Sequence, residues 1–444
     1  MSRPMHGDDK DRVDIAIVGA GAAGLAAGIF AAEAAAGKAF RIVLLDSAGT
    51  IGAKILISGG GRCNVTHESV RPEDFSSLCG TKPVIRNILA AFTERATRDW
   101  FASLGVELKR EESGKLFPVT DKARTILKAL TDRRQALKVP IRTQHRVLDV
   151  RPSNGDGFLV LHEQGTLPAR RVILATGGKS LPRSGSDGHG WEIVQGLGHR
   201  VTRTYPALVP LLLEDRLFHA SLTGLSQQTE VTTLVDGTVV DRRSGSLLWT
   251  HFGVSGPVVM DASRFWTIAH ADGKPVDVRC NFWPGITMEE AEQRLLDLMK
   301  ARPKLTLGKL LGQQIPERLA EALCRACDID PESKAGQLSR VSRRKLVQAL
   351  TALVLPVRRD RGWNYAEVTA GGVPLEEINF RTMESRIRPG LYLIGEMLDC
   401  DGRIGGFNFQ WAWATGYLAG RGAAASLTER TRRSDGGLSP SHRG

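Results

Sequence analysis

Apolar and polar positions along the chain fall into distinct regimes. Residues 13–18 (VDIAIV), 41–46 (RIVLLD), 170–178 (RRVILATGG) and 391–396 (LYLIGE) are short runs dominated by branched apolar residues. Such runs predict strands buried on both faces, as in a parallel sheet. Residues 22–36 are Ala-rich and predict a helix, so 13–46 reads as a strand–helix–strand unit. Residues 84–104, ending at Gly105, and 121–138 have the spacing of amphipathic helices, while 145–151 and 157–162 alternate like strands. From about 205 to 280 β-branched strands alternate with turns, and SQQTEVTTLVDGTVVDRR predicts a hairpin turning at Asp236-Gly237. From about 287 to 350 the chain reads helical, and a further helical run covers 407–421. There is no internal repeat.

This order predicts an α/β fold in which one Rossmann-like domain is built from both chain ends and is interrupted by an insert. The expected boundaries are 1–204 for the N-terminal part, 205–355 for the insert (a β part at about 205–280 and a helical part at about 287–350), and 356–424 for the C-terminal part. A disordered basic tail is expected at 425–444. A length of 444 residues agrees with more than one domain.

Composition changes this picture in three places. Hydrophobic content of 42% and charged content of 24% are those of a globular chain. The net charge of +12 raises the question of a polyanionic partner. Part of the excess lies in 334–361, with Lys334, Arg340, Arg343, Arg344, Lys345, Arg358, Arg359 and Arg361. Only Trp363 and Tyr365 follow, so no stacking platform for nucleic acid is visible. The six cysteines are scattered, which does not suggest a disulfide framework, and the first residues lack a signal-peptide layout; the expected compartment is the cytoplasm. Residues 15–32 are uncharged and contain Gly24-x-x-x-Gly28, but they are mostly Gly and Ala and begin as a strand, so no membrane span is expected.

Three glycine-bearing constellations carry candidate chemistry. Gly19-Ala20-Gly21-Ala22-Ala23-Gly24 follows a strand and opens a helix. Gly19 suits the tight turn, Gly21 the approach of a pyrophosphate and Gly24 close helix–strand packing. Asp46 ends the second strand, placed to accept hydrogen bonds from a ribose, and no arginine follows directly to welcome a 2′-phosphate. The second constellation, ILISGGGRCNVTH at 55–67, leaves the same sheet edge; its glycines can pass along a cofactor with N–H groups inward. The third is Gly395-Glu396, then Asp399, Asp401 and Gly405-Gly406-Phe407-Asn408 opening a helix. That N-terminus suits the negative charge of a reduced flavin.

Several decoys fall away. Cys63 has Glu68, not a second cysteine, five positions on, and Cys324-x-x-Cys327 is a lone pair, so neither a redox couple nor a metal site is expected. Gly253-Val254-Ser255-Gly256-Pro257 lacks the last glycine of a nucleophile elbow. Residues 52–62 lack the Gly-Lys-Ser/Thr ending of a P-loop.

In order along the chain, VGAGAAGL, KILISGGGRCNVT, KLFPVTDKA, VILATGG, LLWTHFGVSGP, AGGV and LYLIGEMLDCDGRIGGFNFQWAWATG resemble the BaiN-like, or YhiN-like, family of FAD-dependent oxidoreductases, also labelled the aminoacetone oxidase family. The resemblance runs from about Val13 to Gly422. It implies an FAD-binding domain from both chain ends and a β-barrel-like plus helical insert. It also implies FAD contacts from Gly19, Ala20, Gly21, Ala22, Ala23, Gly24, Asp46, Lys54, Gly60, Gly61, Arg62, Cys63, Asn64, Val147, Ala175, Thr176, Gly177, Gly395, Glu396, Gly405, Gly406, Phe407 and Asn408. Asp46 stands where a Glu is more typical. The expected activity is passage of a hydride between NADH, NADPH or a reduced substrate and a small organic acceptor or O₂. The alternatives are an RNA-associated flavoprotein and a non-catalytic FAD-binding protein. No acid–base couple stands out; Arg62, His251, Asp399, Asp401 and Arg403 are the candidates.

Overall fold

The computed structural model describes residues 12–35, 37–80 and 82–435. The chain divides into two compact units. The first joins the two chain ends, up to Thr204 and from Val368; the second is Tyr205–Glu367.

The first unit is organised by a sheet whose core strands are parallel. Strand Val13–Val18 lies between Gly165–Leu174 and Ile42–Leu45; Leu391–Leu393 and Ile141–Arg142 flank them in turn. Each of the four expected branched apolar runs forms one of these strands. Parallel pairing brings the carboxyl ends of all of them to one edge, where ligands bind in open α/β folds. Gly19, Asp46, Ala175 and the Ile394-Gly395 turn therefore leave the sheet side by side. Helix Ala22–Ala34 is apolar nearly all round because both its sides are covered. A methyl on Gly28 would meet Leu44 Cδ1 at 2.9 Å. On the other side lies the C-terminal helix, Phe407–Asp435. There a Cβ on Gly416 would meet Ala23 O, and one on Gly420 would meet Ala31 N, both at 2.8 Å. The small-residue stripe that imitates a membrane motif is thus a close crossing of two helices within this unit. Among the described residues no helix is long and apolar enough to cross a membrane.

Two expectations need correction. The single stretch 84–104 is two helices, Lys82–Ala91 and Glu94–Ser103, parted at Thr93, whose Oγ1 accepts the Ala96 N–H at 3.2 Å. Such a cap starts a new helix more favourably than it continues an old one. The segment expected as a disordered tail from 425 is helical through Asp435; the remainder of that expected tail, 436–444, lies outside the described residues.

A buried polar triad ties loop to sheet. His199 donates Nδ1–H to Glu377 Oε2 at 2.8 Å and accepts from Ser385 Oγ at 2.8 Å, while Arg200 Nε–H reaches Glu377 Oε1 at 2.8 Å. Burial pushes the His199 pKa below its ordinary value of 6.5, against the opposing pull of Glu377. The unfolded chain therefore binds this proton at higher pH than the folded one. Stability from this group is present above about pH 6.5 and declines as pH falls through that value. Melting curves from pH 8 to pH 5 are expected to show a steeper loss for the native protein than for His199→Asn.

The second unit is a seven-stranded antiparallel sheet in the order Leu353–Leu355, Val276–Asn281, Ser226–Val235, Thr238–Thr250, Gly253–Ser255, Leu211–Leu213, Val357–Asp360. The strands at its two ends are neighbours in the chain, parted only by Pro356, so the sheet must curl to bring its edges together. The expected hairpin is present: Val235 pairs with Thr238, and Asp236 and Gly237 have φ of 50° and 77°, as a two-residue hairpin turn requires. Helices Pro257–Ala271, Met288–Ala301, Glu317–Ala326 and Arg340–Ala352 accompany the sheet around a second apolar core. Cys324 is buried, with its thiol pushed up to about 12 by burial.

Candidate functional site

At the carboxyl edge of the parallel sheet the chain is shaped by glycines whose missing side chains do different jobs. Gly19 has φ 101°, and any Cβ on it would run into the Ala175 carbonyl. A Cβ on Gly24 would be driven into the Gly19 carbonyl. These two let strand, turn and helix close on one another. Gly21 differs: it caps the helix, and a Cβ on it would meet nothing within 4 Å. The space above the helix N-terminus is left clear, and the first-turn N–H groups point toward it. Asp46 braces this turn, accepting from Ala20 N–H at 2.7 Å and Ala48 N–H at 2.8 Å, one bond to each oxygen. Each oxygen keeps a lone pair for a hydroxyl. The lead-in to Val147 is pinned alongside, with His145 N–H donating to Asp46 O at 2.8 Å.

The glycine triplet follows a short helical stretch that starts at Ala53. Gly59, Gly60 and Gly61 have φ of 55°, 69° and 84°, and Cys63 follows at 61°. Only glycine adopts such a run cheaply. It swings Asn64 against the start of the C-terminal helix, where a Cβ on Gly406 would meet Asn64 Oδ1 at 2.8 Å. Trp413 Nε1–H then holds Val65 O at 2.9 Å, and Thr66 Oγ1 donates to Gln410 Oε1 at 2.7 Å. Arg62 turns elsewhere: its guanidinium pairs with Glu111 at 2.5 Å and lies 4.0 Å over the Phe117 ring. Cys63 is fully buried, and burial pushes its thiol up to about 12. It is a packing residue with almost no thiolate at neutral pH. A thiol reagent at pH 8 is expected to leave Cys63 unlabelled in the native protein and to label all six cysteines after unfolding, as mass spectrometry of the digest will read.

A carboxylate network binds four of these loops together. Glu396 Oε2 meets Lys54 Nζ at 2.6 Å. Its Oε1 accepts from Ser180 Oγ at 2.7 Å and from both the N–H and the hydroxyl of Thr369 at 3.0 Å. Lys54 Nζ also donates to Ser180 Oγ at 2.8 Å. Thr369 and Ser180 are absent from the residues singled out in the sequence. Thr369 stands one position before the AGGV stretch, and only the folded chain brings it to Glu396. Gly395 is gripped from the C-terminal helix, its N–H by Thr415 Oγ1 and its carbonyl by Trp411 Nε1–H, both at 3.1 Å.

The catalytic candidates separate. Asp399 is fully buried and anchors a loop: Oδ2 accepts from Ser77 Oγ at 2.9 Å and Cys79 N–H at 3.0 Å, and Oδ1 from Leu78 N–H at 3.1 Å. Both oxygens of this carboxylate are thus taken up by the Ser77–Cys79 loop. Asp401 is buried and its backbone pairs with Ser76. Arg403 pairs with Asp74 at 3.1 Å. Asn408 closes a side-chain ring on Gly402, Oδ1 accepting its N–H and Nδ2 donating to its carbonyl at 2.8 Å each. Phe407 stacks on His67 with centroids 4.9 Å apart. His251 belongs to the second unit.

A dinucleotide such as FAD fits this edge on the protein's own atoms. Asn64 Oδ1 and Thr176 Oγ1 are buried without a hydrogen-bond partner. An unpaired buried polar atom costs about 1–3 kcal/mol, so Asn64 Oδ1 beside Gly406 suits a polar ligand, whereas Thr176 Oγ1 faces Gly190. Among the described residues no group of three or more His, Cys, Asp or Glu could hold a metal ion.

The family model for the HI0933-like protein Rossmann domain matches residues 13–422. The chain is 36% identical over 411 residues to the 3-dehydro-bile acid delta(4,6)-reductase of Clostridium scindens, covering 92% of this chain and 98% of that one. It is 34% identical over 420 residues to the ribosomal RNA dihydrouridine synthase of Escherichia coli, covering 94% and 99%. Among solved structures, the 3-ketosteroid-delta4-(5alpha)-dehydrogenase of Rhodococcus jostii aligns at 16% identity with a TM-score of 0.49, over 95% of this chain and 98% of that one.

Proposed function

The chain belongs to the HI0933-like Rossmann-domain family of FAD-dependent oxidoreductases, and from that premise we propose that it reduces a carbon–carbon double bond conjugated to a carbonyl, with NADH or NADPH as donor. The observation that carries the cofactor half is the convergence of Gly19, Asp46, Ala175 and Gly395 at one sheet edge, with Gly21 leaving clear space over a helix N-terminus. The acceptor half is supported by what the two relatives' names share. A 3-dehydro-bile acid delta(4,6)-reductase and a dihydrouridine synthase both saturate a ring double bond in conjugation with a carbonyl.

Bound FAD would supply two-electron hydride-transfer chemistry between a nicotinamide and the conjugated double bond of the acceptor. The protein's part is holding and tuning. The N–H groups at Gly21–Ala23 would hold the pyrophosphate, Asp46 the ribose, and Asn64 and Glu396 the remaining hydroxyl and amide groups. The start of helix Phe407–Asp435 would favour negative charge on the reduced ring. Arg62 contributes backbone rather than charge, since its guanidinium is committed to Glu111.

The test is an anaerobic titration of the flavin-loaded protein with NADH and then NADPH, followed by addition of either a 3-oxo-4,6-diene bile acid or uridine-bearing ribosomal RNA. Bleaching of the flavin by a nucleotide and its recovery with one acceptor would support the reading. Failure of both nucleotides to bleach a bound flavin would remove the proposed donor. Recovery with neither acceptor would remove the proposed double bond.

A further inference from the structure

We propose that the insert carries an oxyanion-binding site of its own, centred on Arg361, which takes a carboxylate or phosphate group edge-on. Arg361 follows the edge strand Val357–Asp360 in a turn held on every side. Its N–H donates to Pro210 O at 3.0 Å, Asp360 Oδ1 accepts the Gly362 N–H at 2.6 Å, and Tyr365 N–H returns to Gly362 O at 3.0 Å. The guanidinium packs against two rings, 4.1 Å from the Phe252 centroid and 3.7 Å from that of Tyr365. Phe252 is fixed in its turn, its carbonyl accepting the Leu213 N–H at 3.1 Å, and His251 packs edge-on against it at 5.1 Å.

Two rings pack against a planar cation, which keeps its five N–H donors for in-plane hydrogen bonds. Among the described residues no carboxylate, carbonyl or hydroxyl accepts from that edge. Other arginines held partly out of water in this unit are satisfied differently: Arg343 by Glu292 and Arg243 by Asp241. An arginine clamped by rings has already given up much of its rotamer freedom, so a two-oxygen anion meets a preset fork. Arg358 and Arg359, on the strand before it, are exposed. Tyr365 is 48% exposed, so the clamp opens to solvent rather than into a core. This site stands on the second unit alone and does not depend on the flavin reading.

Calorimetric titration of the full-length protein with sodium phosphate, and separately with sodium succinate, at low ionic strength tests the proposal. We expect one saturable site for at least one of the two anions. Arg361→Lys keeps the charge but loses the fork, and is expected to weaken that site at least about tenfold. Tyr365→Ala should weaken it several-fold by loosening the clamp, and Arg358→Ala should leave it nearly unchanged. A response to phosphate alone or to succinate alone identifies the anion. No saturable heat with either anion overturns the proposal, as does an equal loss in Arg358→Ala and Arg361→Lys, which would mean a diffuse field. Melting curves accompany each variant, and Tyr365→Ala, altered at an exposed ring, keeps the test open if Arg361→Lys fails to fold.

Discussion

Gly21→Ala is expected to weaken FAD binding by about 10- to 100-fold, or about 1.4–2.8 kcal/mol, while costing the flavin-free protein no more than about 1 kcal/mol as a poorer helix cap. The backbone at Gly21 is extended, with φ −78°, which alanine accepts freely, and the added methyl touches no protein atom within 4 Å. Whatever the methyl obstructs must come from outside the chain. Gly24→Ala, three residues away, makes the contrast. Its methyl would collide with the Gly19 carbonyl, so the turn or the helix must shift, and a loss of about 3 kcal/mol or more in stability is expected. Flavin-fluorescence quenching and thermal melts on the two variants read both quantities. Undiminished FAD binding by Gly21→Ala would mean that the pyrophosphate does not cross this helix end.

Glu396→Gln has the second large effect. The carboxylate is met by Lys54, Ser180 and Thr369, and the side chains of the ion pair are only 25% and 19% exposed. Exchanging it for an amide strands the ammonium and puts an N–H₂ donor where acceptors are needed. Removing one partner of a well-buried pair costs about 3–5 kcal/mol, and the remaining exposure here lowers that to about 2–3 kcal/mol. Urea denaturation measures it. Adding Lys54→Met to Glu396→Gln should recover part of the loss, because the stranded charge goes with it. Additive losses would show that the two side chains do not act as a pair. Flavin release should rise in the single variant, since four loops of the cradle share this one anchor.

The strand–helix–strand unit and its glycines were legible in the sequence because their causes are local. Branched apolar runs, an Ala-rich helix and glycines at fixed offsets are all read within a few dozen residues. The hairpin at Asp236-Gly237 was legible for the same reason, since those two residues suit positive φ. What escaped was set by distant partners. Nothing near Thr369 announces that its hydroxyl will meet Glu396, and nothing near Asp399 says that Ser77, Leu78 and Cys79 will occupy its oxygens. Arg62 is adjacent to the glycine triplet, yet its direction is decided by Glu111 and Phe117 some fifty residues on. The break at Thr93 was hidden inside an apolar spacing that two successive helices share.

The crossing of Ala22–Ala34 with Phe407–Asp435 also has a consequence in time. A chain synthesised from its N-terminus makes one half of that contact first and the other half almost last. At about 5–20 residues per second, roughly 20–75 s separate them on the ribosome. The second unit, continuous in sequence, can complete its own core meanwhile, whereas the nucleotide edge waits for Gly395 and for the final helix. The expected order of assembly is therefore the insert before the domain whose sequence it interrupts. Nascent chains stopped before residue 407 should expose an uncovered Ala-rich helix to chaperones.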